Sequence, residues 1–86
     1  MGQQTGTILE IHSEEVINEN LTKRRFVIEE DGRYKNKICF ELMNDRTDLI
    51  DPYQVGDKIN VSYNLKSHEH NSKWYSQIMA WKIERI

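Results

Sequence analysis

Residues 55–86, VGDKINVSYNLKSHEHNSKWYSQIMAWKIERI, decide the fold of this chain. After an opening Gly-Asp turn, apolar and polar side chains alternate from Ile59 to Leu65. This period of two predicts a half-buried antiparallel strand. A polar tip at residues 68–72 and a second alternating segment follow, so the sequence predicts a long β-hairpin.

Three shorter segments with strand character precede the hairpin, at residues 7–13, 22–30 and 35–43. In the first segment, strict alternation predicts Leu9 and Ile11 on one face and Ile8 on the other. In the other two segments, the same alternation predicts inward-facing apolar side chains, namely Phe26, Ile28, Ile38, Phe40 and Leu42.

The connections between these strands are short and polar. Residues 14–20 are expected to form a loop, and Asp31-Gly32 predicts a tight turn because glycine tolerates positive φ. Asn44 or Asp45 is a candidate N-cap of a helix. That helix can hardly exceed about two turns, since Pro52 follows it.

The order of elements is therefore β-β-β-short helix-β-β, within a single domain at residues 1–86. Five short strands with a helix between the third and the fourth fit an all-β, five-stranded Greek-key OB-fold barrel. An SH3-like barrel is the nearest alternative, and it usually lacks a helix at that point. Tyr63 and Trp81 are expected in the core. Tyr75 is expected to pack as well, whereas the exposure of Trp74 stays open.

Composition limits the classes of protein to consider. The 86 residues are 37% hydrophobic and 30% charged, with a net charge of −2, which is typical of a globular domain. Nothing approaches the roughly 18 consecutive apolar residues of a membrane span, and the N-terminus lacks the layout of a secretory signal. The single cysteine, Cys39, permits no intrachain disulfide. We therefore expect a cytoplasmic protein without membrane association.

Motifs in the C-terminal half are similar to those of known binding proteins. They are residues 57–63, a lysine-bearing tip, Trp74-Tyr75 and the run Ala80-Trp81-Lys82-Ile83. Together they resemble the C-terminal half of bacterial single-stranded DNA-binding proteins, in which a Gly-Asp turn opens strand four. Those proteins usually carry an acidic, disordered tail. The present chain is expected to lack one, because Ile86 directly follows the last strand.

The whole chain resembles more closely a family of short bacterial proteins of unknown function. The pieces that carry this resemblance are Gly6-Thr7-Ile8, residues 24–29, 39–42, 48–51 and 55–57, and Trp81. Both resemblances imply an OB fold, and the closer family brings no settled function with it.

An OB barrel normally binds its ligand across strands two and three, between the loop that joins strands one and two and the loop that joins strands four and five. Holding a single strand there requires cations for the phosphates and aromatic faces for the bases. The residues predicted on that surface are Lys23, Arg25, Tyr34, Lys35, Lys37, Lys66, His68, His70, Lys73 and Trp74.

Other chemistries have less support in the sequence. His68 and His70 place two rings on one strand face, but no third ligand is evident beside them, so no metal site is predicted. No nucleophile with a base, no pair of acids in a cleft and no glycine-rich phosphate loop is apparent. We therefore expect neither a cofactor nor an enzyme.

Two classes of function remain. The first is non-catalytic binding of single-stranded nucleic acid, preferably DNA, by stacking and phosphate contacts. The second is a protein-interaction or self-assembling OB module that binds no nucleic acid. In either class a homodimer or higher homo-oligomer is expected, because a small core gains stability when exposed strand edges are covered.

Overall fold

The computed structural model describes residues 2–86, which form six strands and one short 3₁₀ helix. In chain order they are β1 Gly2–Ile11, β2 Glu15–Asn18, β3 Leu21–Glu30, β4 Lys37–Met43, the 3₁₀ helix Asn44–Ile50, β5 Lys58–His70 and β6 Lys73–Arg85.

The strands form one closed sheet. Their order is β1-β5-β6-β4-β3-β2, and β1 also pairs with β3, so that five strands return on themselves as a barrel. The parallel contact between β4 and β6 is made at Glu41 and Met79, and all other pairings are antiparallel. The predicted OB barrel, with its short helix before the long hairpin, is confirmed.

The core fills this barrel with side chains from every one of its five strands. Phe26 and Phe40 are directly paired across β3 and β4, and their stacked ring centroids lie 5.3 Å apart. The 3₁₀ helix contributes the buried Ile50. The fully or nearly fully buried apolar residues are Ile8, Phe26, Ile28, Phe40, Leu42, Ile50, Ile59, Val61 and Ala80.

A bulge in β1 corrects the expected faces of that strand. Ile8 pairs with Ile28 but Glu10 pairs with Val27, so Leu9 is an extra residue in the ladder. Because one extra residue reverses the alternation beyond it, Ile8 is buried in the core and Ile11 packs against the same core. The prediction that Leu9 and Ile11 share a face was wrong.

A second bulge, in β6, changes the expected core. Ser62 pairs with Lys82 and Tyr63 pairs with Ala80, which leaves Trp81 as the extra residue. Ala80 therefore enters the core, while Trp81 is half-buried outside the core cluster. Tyr63 is half-buried and packs against the core, with its ring 5.7 Å from that of Phe40.

Two connections also differ from expectation. Glu15–Asn18, predicted as loop, forms the short strand β2 against β3. Neither Asn44 nor Asp45 caps the helix, because Met43 is the N-cap and Asp45 lies in the first turn. Asn44 has a φ of 53°, and its side-chain oxygen accepts a hydrogen bond from the Thr22 backbone N–H at 3.0 Å. That bond ties the start of the helix to β3.

The long hairpin of β5 and β6 extends beyond the barrel. Its strands stay paired up to His70 and Lys73, and two residues with positive φ, Asn71 at 51° and Ser72 at 64°, close the turn. This is the type I′ turn that favours a tight, twisted hairpin. Residues 64–76 are exposed, so both faces of the outer half of the hairpin are accessible.

Candidate nucleic-acid interface

The outer surface of β3 and β4 forms the floor of the candidate interface. Phe26 on β3 and Phe40 on β4 point into the core, so their alternating neighbours point outward. Arg25 and Glu41 are one such outward pair, directly opposite each other in the ladder. The next outward position beyond Arg25 on β3 is Lys23.

The hairpin borders this floor with one of its two faces. His68 and Tyr75 are paired across β5 and β6, as are His70 and Lys73. Together with Lys23, Arg25 and Glu41, the side chains of His68, His70 and Tyr75 line an open groove. We call it the hairpin groove. It continues into an adjoining depression that Arg25 and Glu41 share with Lys37 and Cys39.

The groove contains one partly exposed aromatic surface. The rings of His68 and Tyr75 are stacked, with centroids 5.6 Å apart and planes 25° from parallel. Tyr75 is 46% exposed, so one part of the ring is supported and another part is open to a ligand. The prediction that Tyr75 packs into the interior was wrong, because the core ends before this part of the hairpin.

The cations on the floor already have partners. The Lys23 ammonium lies 2.9 Å from a Glu41 carboxylate oxygen, and Arg25 Nε lies 3.6 Å from the same oxygen. Arg25 also approaches Glu15 at 3.5 Å. The side chains of Lys23 and Glu41 retain 15% and 11% of their exposure, so this ion pair is largely covered.

The cations at the edges of the groove differ from those on its floor in their salt bridges. Lys66 and Lys73 lie on the same hairpin face as His68, and Lys37 lies on the outward face of β4. Among residues 2–86, none of the salt bridges includes Lys37, Lys66 or Lys73. We call these three the rim lysines.

Nine of the ten predicted site residues separate into three groups. Lys23, Arg25, His68 and His70 come together in the hairpin groove. Lys37 lines the adjoining depression, and the other two rim lysines lie on the hairpin face that borders the groove. Tyr34 and Lys35 lie in the turn between β3 and β4, where Tyr34 is 77% exposed and has Arg33 over its ring at 5.9 Å. They do not line the groove.

Trp74 lies on the other face of the hairpin. It pairs with Glu69 and alternates with Tyr75, so it points away from the groove. The apolar hairpin face, as we call it, consists of Trp74 and Leu65, and it ends at Ile78, which pairs with Leu65 but packs against the core. Trp74 is 71% and Leu65 is 72% exposed, which is unusual for two large apolar side chains on one surface.

Sequence reasoning missed Tyr75 and Glu41 as groove residues. Tyr75 lies opposite His68 by counting once a two-residue turn is placed at Asn71-Ser72, but the polar tip at residues 68–72 does not by itself locate that turn. For Glu41 no local signal existed, because its importance depends on the register of β3 against β4.

The Cys39 thiol beside the floor is poorly suited to ionise. Partial burial raises the pKa of Cys39 above its ordinary value of 9.0, Arg25 lowers it, and Glu41 and Glu10 raise it further. At neutral pH the thiol is therefore protonated and a weak nucleophile.

Residues 2–86 contain no group of three or more histidine, cysteine or acidic side chains placed to hold a metal ion. In the same range, no helix has the length and apolar character needed to cross a membrane.

The closed five-stranded barrel, the 3₁₀ helix between β4 and β5 and the groove define an OB-fold domain. Residues 3–84 match the model of the family described as domain of unknown function DUF3127, and the chain belongs to that family. No curated protein matches the chain.

A solved structure with similar architecture is the dimeric N-terminal domain of the PriB protein from Thermoanaerobacter tencongensis. The TM-score is 0.67 at 16% sequence identity, and the match covers 99% of the present chain and 93% of the other. At that identity the similarity shows a shared fold.

Proposed function

We propose that this domain binds single-stranded nucleic acid, preferably DNA, in the hairpin groove and without catalysis. The observation that carries this proposal is the stacked pair of Tyr75 and His68 at the edge of a groove bordered by cations. Base–aromatic stacking is tolerant of sequence because every base has a π-face. The resemblance to single-stranded DNA-binding proteins favours DNA, and we place this activity in the cytoplasm.

The rim lysines supply the phosphate contacts in this proposal. They lack carboxylate partners within the described chain, whereas Lys23 and Arg25 share Glu41. A strand would then lie with bases towards Tyr75 and phosphates towards Lys37, Lys66 and Lys73. With about three phosphate contacts, the logarithm of the binding constant should fall with the logarithm of salt with a slope of roughly −2.

A titration of the full chain with a fluorescently labelled, mixed-sequence DNA oligonucleotide tests this function. We expect binding that is saturable and weakens between low and physiological salt with that modest slope. A duplex of the same length serves as the competitor, and it should bind less well because its bases are already stacked. Absence of binding at tens of micromolar protein and low salt would refute the proposal.

Self-assembly is the second candidate function, and the apolar hairpin face favours it. Leu65 and Trp74 are both more than two-thirds exposed, although burying such side chains is strongly favourable. We propose that a second copy of the chain covers this face in a homodimer or higher oligomer. The PriB domain of similar fold is dimeric, which supports assembly in general, whereas the choice of this face rests on the exposure of Leu65 and Trp74.

Light scattering at tens of micromolar protein tests this assembly. We expect at least twice the chain mass of 10.3 kDa for the wild type. Trp74→Ser should shift the mass towards that of the monomer, whereas Tyr34→Ser, which removes an equally exposed aromatic ring elsewhere, should not. A monomeric wild-type protein would refute the assignment of the apolar hairpin face.

A further inference from the structure

Glu41 has an unusual position for an acid on a surface that is proposed to bind a polyanion. It lies at the centre of the groove floor, lines both the hairpin groove and the adjoining depression, and is only 8% exposed. Both salt bridges of Glu41 use one oxygen, Oε2, which lies between Lys23 and Arg25. A carboxylate here occupies the place that a phosphate oxygen would take between the same two cations.

We infer that Glu41 is a specificity-determining residue that acts as a fixed counter-anion in the groove. The inference rests on the function proposed above. Because Lys23 and Arg25 are neutralised from within, the groove floor offers little attraction to phosphate groups. The rim lysines then make the contacts with phosphate groups, and stacking on Tyr75 contributes a larger share of the binding free energy. Polyanions that have no exposed bases are thereby disfavoured.

This arrangement gives selectivity by weakening the binding of competing ligands. Specificity is a difference of affinities, and it can be gained by reducing attraction for competitors. Three uncompensated lysines attract every polyanion in a similar way, whereas a stacking surface is useful only to a ligand with unpaired bases. Two further uncompensated cations on the floor would raise the affinity for every polyanion. They would thereby reduce the relative contribution of base stacking, which is the selective interaction.

Glu41→Gln tests the inference, because it removes the charge and preserves the shape of the side chain. The matched control is Glu84→Gln, which removes the same charge from an exposed acid that lies 3.7 Å from Lys82 on the inner part of the hairpin. Two probes are used: heparin, which has no bases, and the labelled single-stranded oligonucleotide. Thermal melting of each variant establishes that it is folded.

We expect Glu41→Gln to have a higher affinity for polyanions than the wild type. Glu41→Gln should elute from a heparin column at higher salt than both the wild type and Glu84→Gln. Its salt slope with the oligonucleotide should become steeper by up to roughly 1.4, because two cations each release about 0.7 counterion on a single strand. Heparin should then compete better against the oligonucleotide than it does for the wild type.

A second comparison decides the question if Glu41→Gln fails to fold, since removing one partner of a covered ion pair destabilises a protein. The double substitution of Lys23→Gln and Glu41→Gln removes both charges of the pair, so that neither is left uncompensated, and it should leave the heparin elution position nearly unchanged. Lys37→Gln should elute earlier, because Lys37 has no such partner. An equally early elution of the double variant would overturn the inference.

The heparin measurements separate this inference from the proposed function. If no form of the protein binds the oligonucleotide but Glu41→Gln binds heparin more tightly, the nucleic-acid function fails and the counter-anion role stands. If the wild type binds the oligonucleotide and Glu41→Gln matches Glu84→Gln on both probes, Glu41 is only structural and the inference fails.

Discussion

Substitution of Tyr75 by alanine should weaken binding of single-stranded DNA without unfolding the domain. The ring is 46% exposed and its stacking partner is the equally peripheral His68, so the substitution removes no core contact. Substitutions of this kind usually change the free energy of unfolding by less than about 0.5 kcal/mol. The loss of one base–aromatic stack is worth about 1–3 kcal/mol. At 1.4 kcal/mol for each factor of ten, we expect Kd to rise by roughly 5- to 150-fold.

Tyr34→Ala is the matched control, because it removes an exposed ring from the turn between β3 and β4, which belongs neither to the groove nor to the apolar hairpin face. Fluorescence anisotropy with a labelled oligonucleotide gives Kd for both variants at several salt concentrations. The salt slope of Tyr75→Ala should equal that of the wild type, since a neutral ring releases no counterions. Loss of affinity in Tyr34→Ala with normal affinity in Tyr75→Ala would refute our assignment of the stacking surface.

Three further predictions concern the core, the turn and the thiol. Phe40→Ala should lower the free energy of unfolding by about 3–5 kcal/mol, because Phe40 is fully buried against Phe26; urea denaturation measures this loss. Ser72→Gly should raise the free energy of unfolding by about 0.5–1 kcal/mol, because φ at Ser72 is 64° and glycine adopts that conformation without the steric penalty. An unchanged or lower midpoint of urea denaturation would contradict the turn geometry. Cys39 should react slowly with a disulfide reagent at neutral pH, and its rate should rise with pH and continue to rise past 9.0, because the fraction of reactive thiolate grows until the pH exceeds the raised pKa. Fast reaction at pH 7 would disprove that assignment.

The alternating segments explain how much of the fold could be predicted. Ile59 and Val61 follow a period of two without interruption, and both are buried as that period predicts. Alternation gives the wrong faces beyond Leu9 and at Trp81, because each of these strands contains one extra residue. A bulge reverses the two faces of a strand without leaving a marker in the pattern, so Ile8 and Ala80 could not be assigned to the core from alternation.

The site was less predictable than the fold, because its charges depend on pairing between distant segments. Lys23, Arg25, His68 and His70 were expected to meet, and the structure brings them to one groove. The sequence gives no indication that Glu41 neutralises Lys23, since those residues belong to different strands whose register is set by the whole core. The position of Tyr75 required the turn length, which a polar stretch of five residues does not define.

The two-residue turn at Asn71-Ser72 also restricts how this hairpin can change in length. Inserting one residue into either arm would exchange the groove-facing and solvent-facing side chains beyond the insertion, bringing Trp74 to the groove and turning Tyr75 outward, or doing the equivalent to His68. Only paired insertions, two residues in each arm, lengthen the hairpin and keep each side chain on its face. Relatives with longer or shorter hairpins are therefore expected to differ from this chain by multiples of four residues between Tyr63 and Ala80.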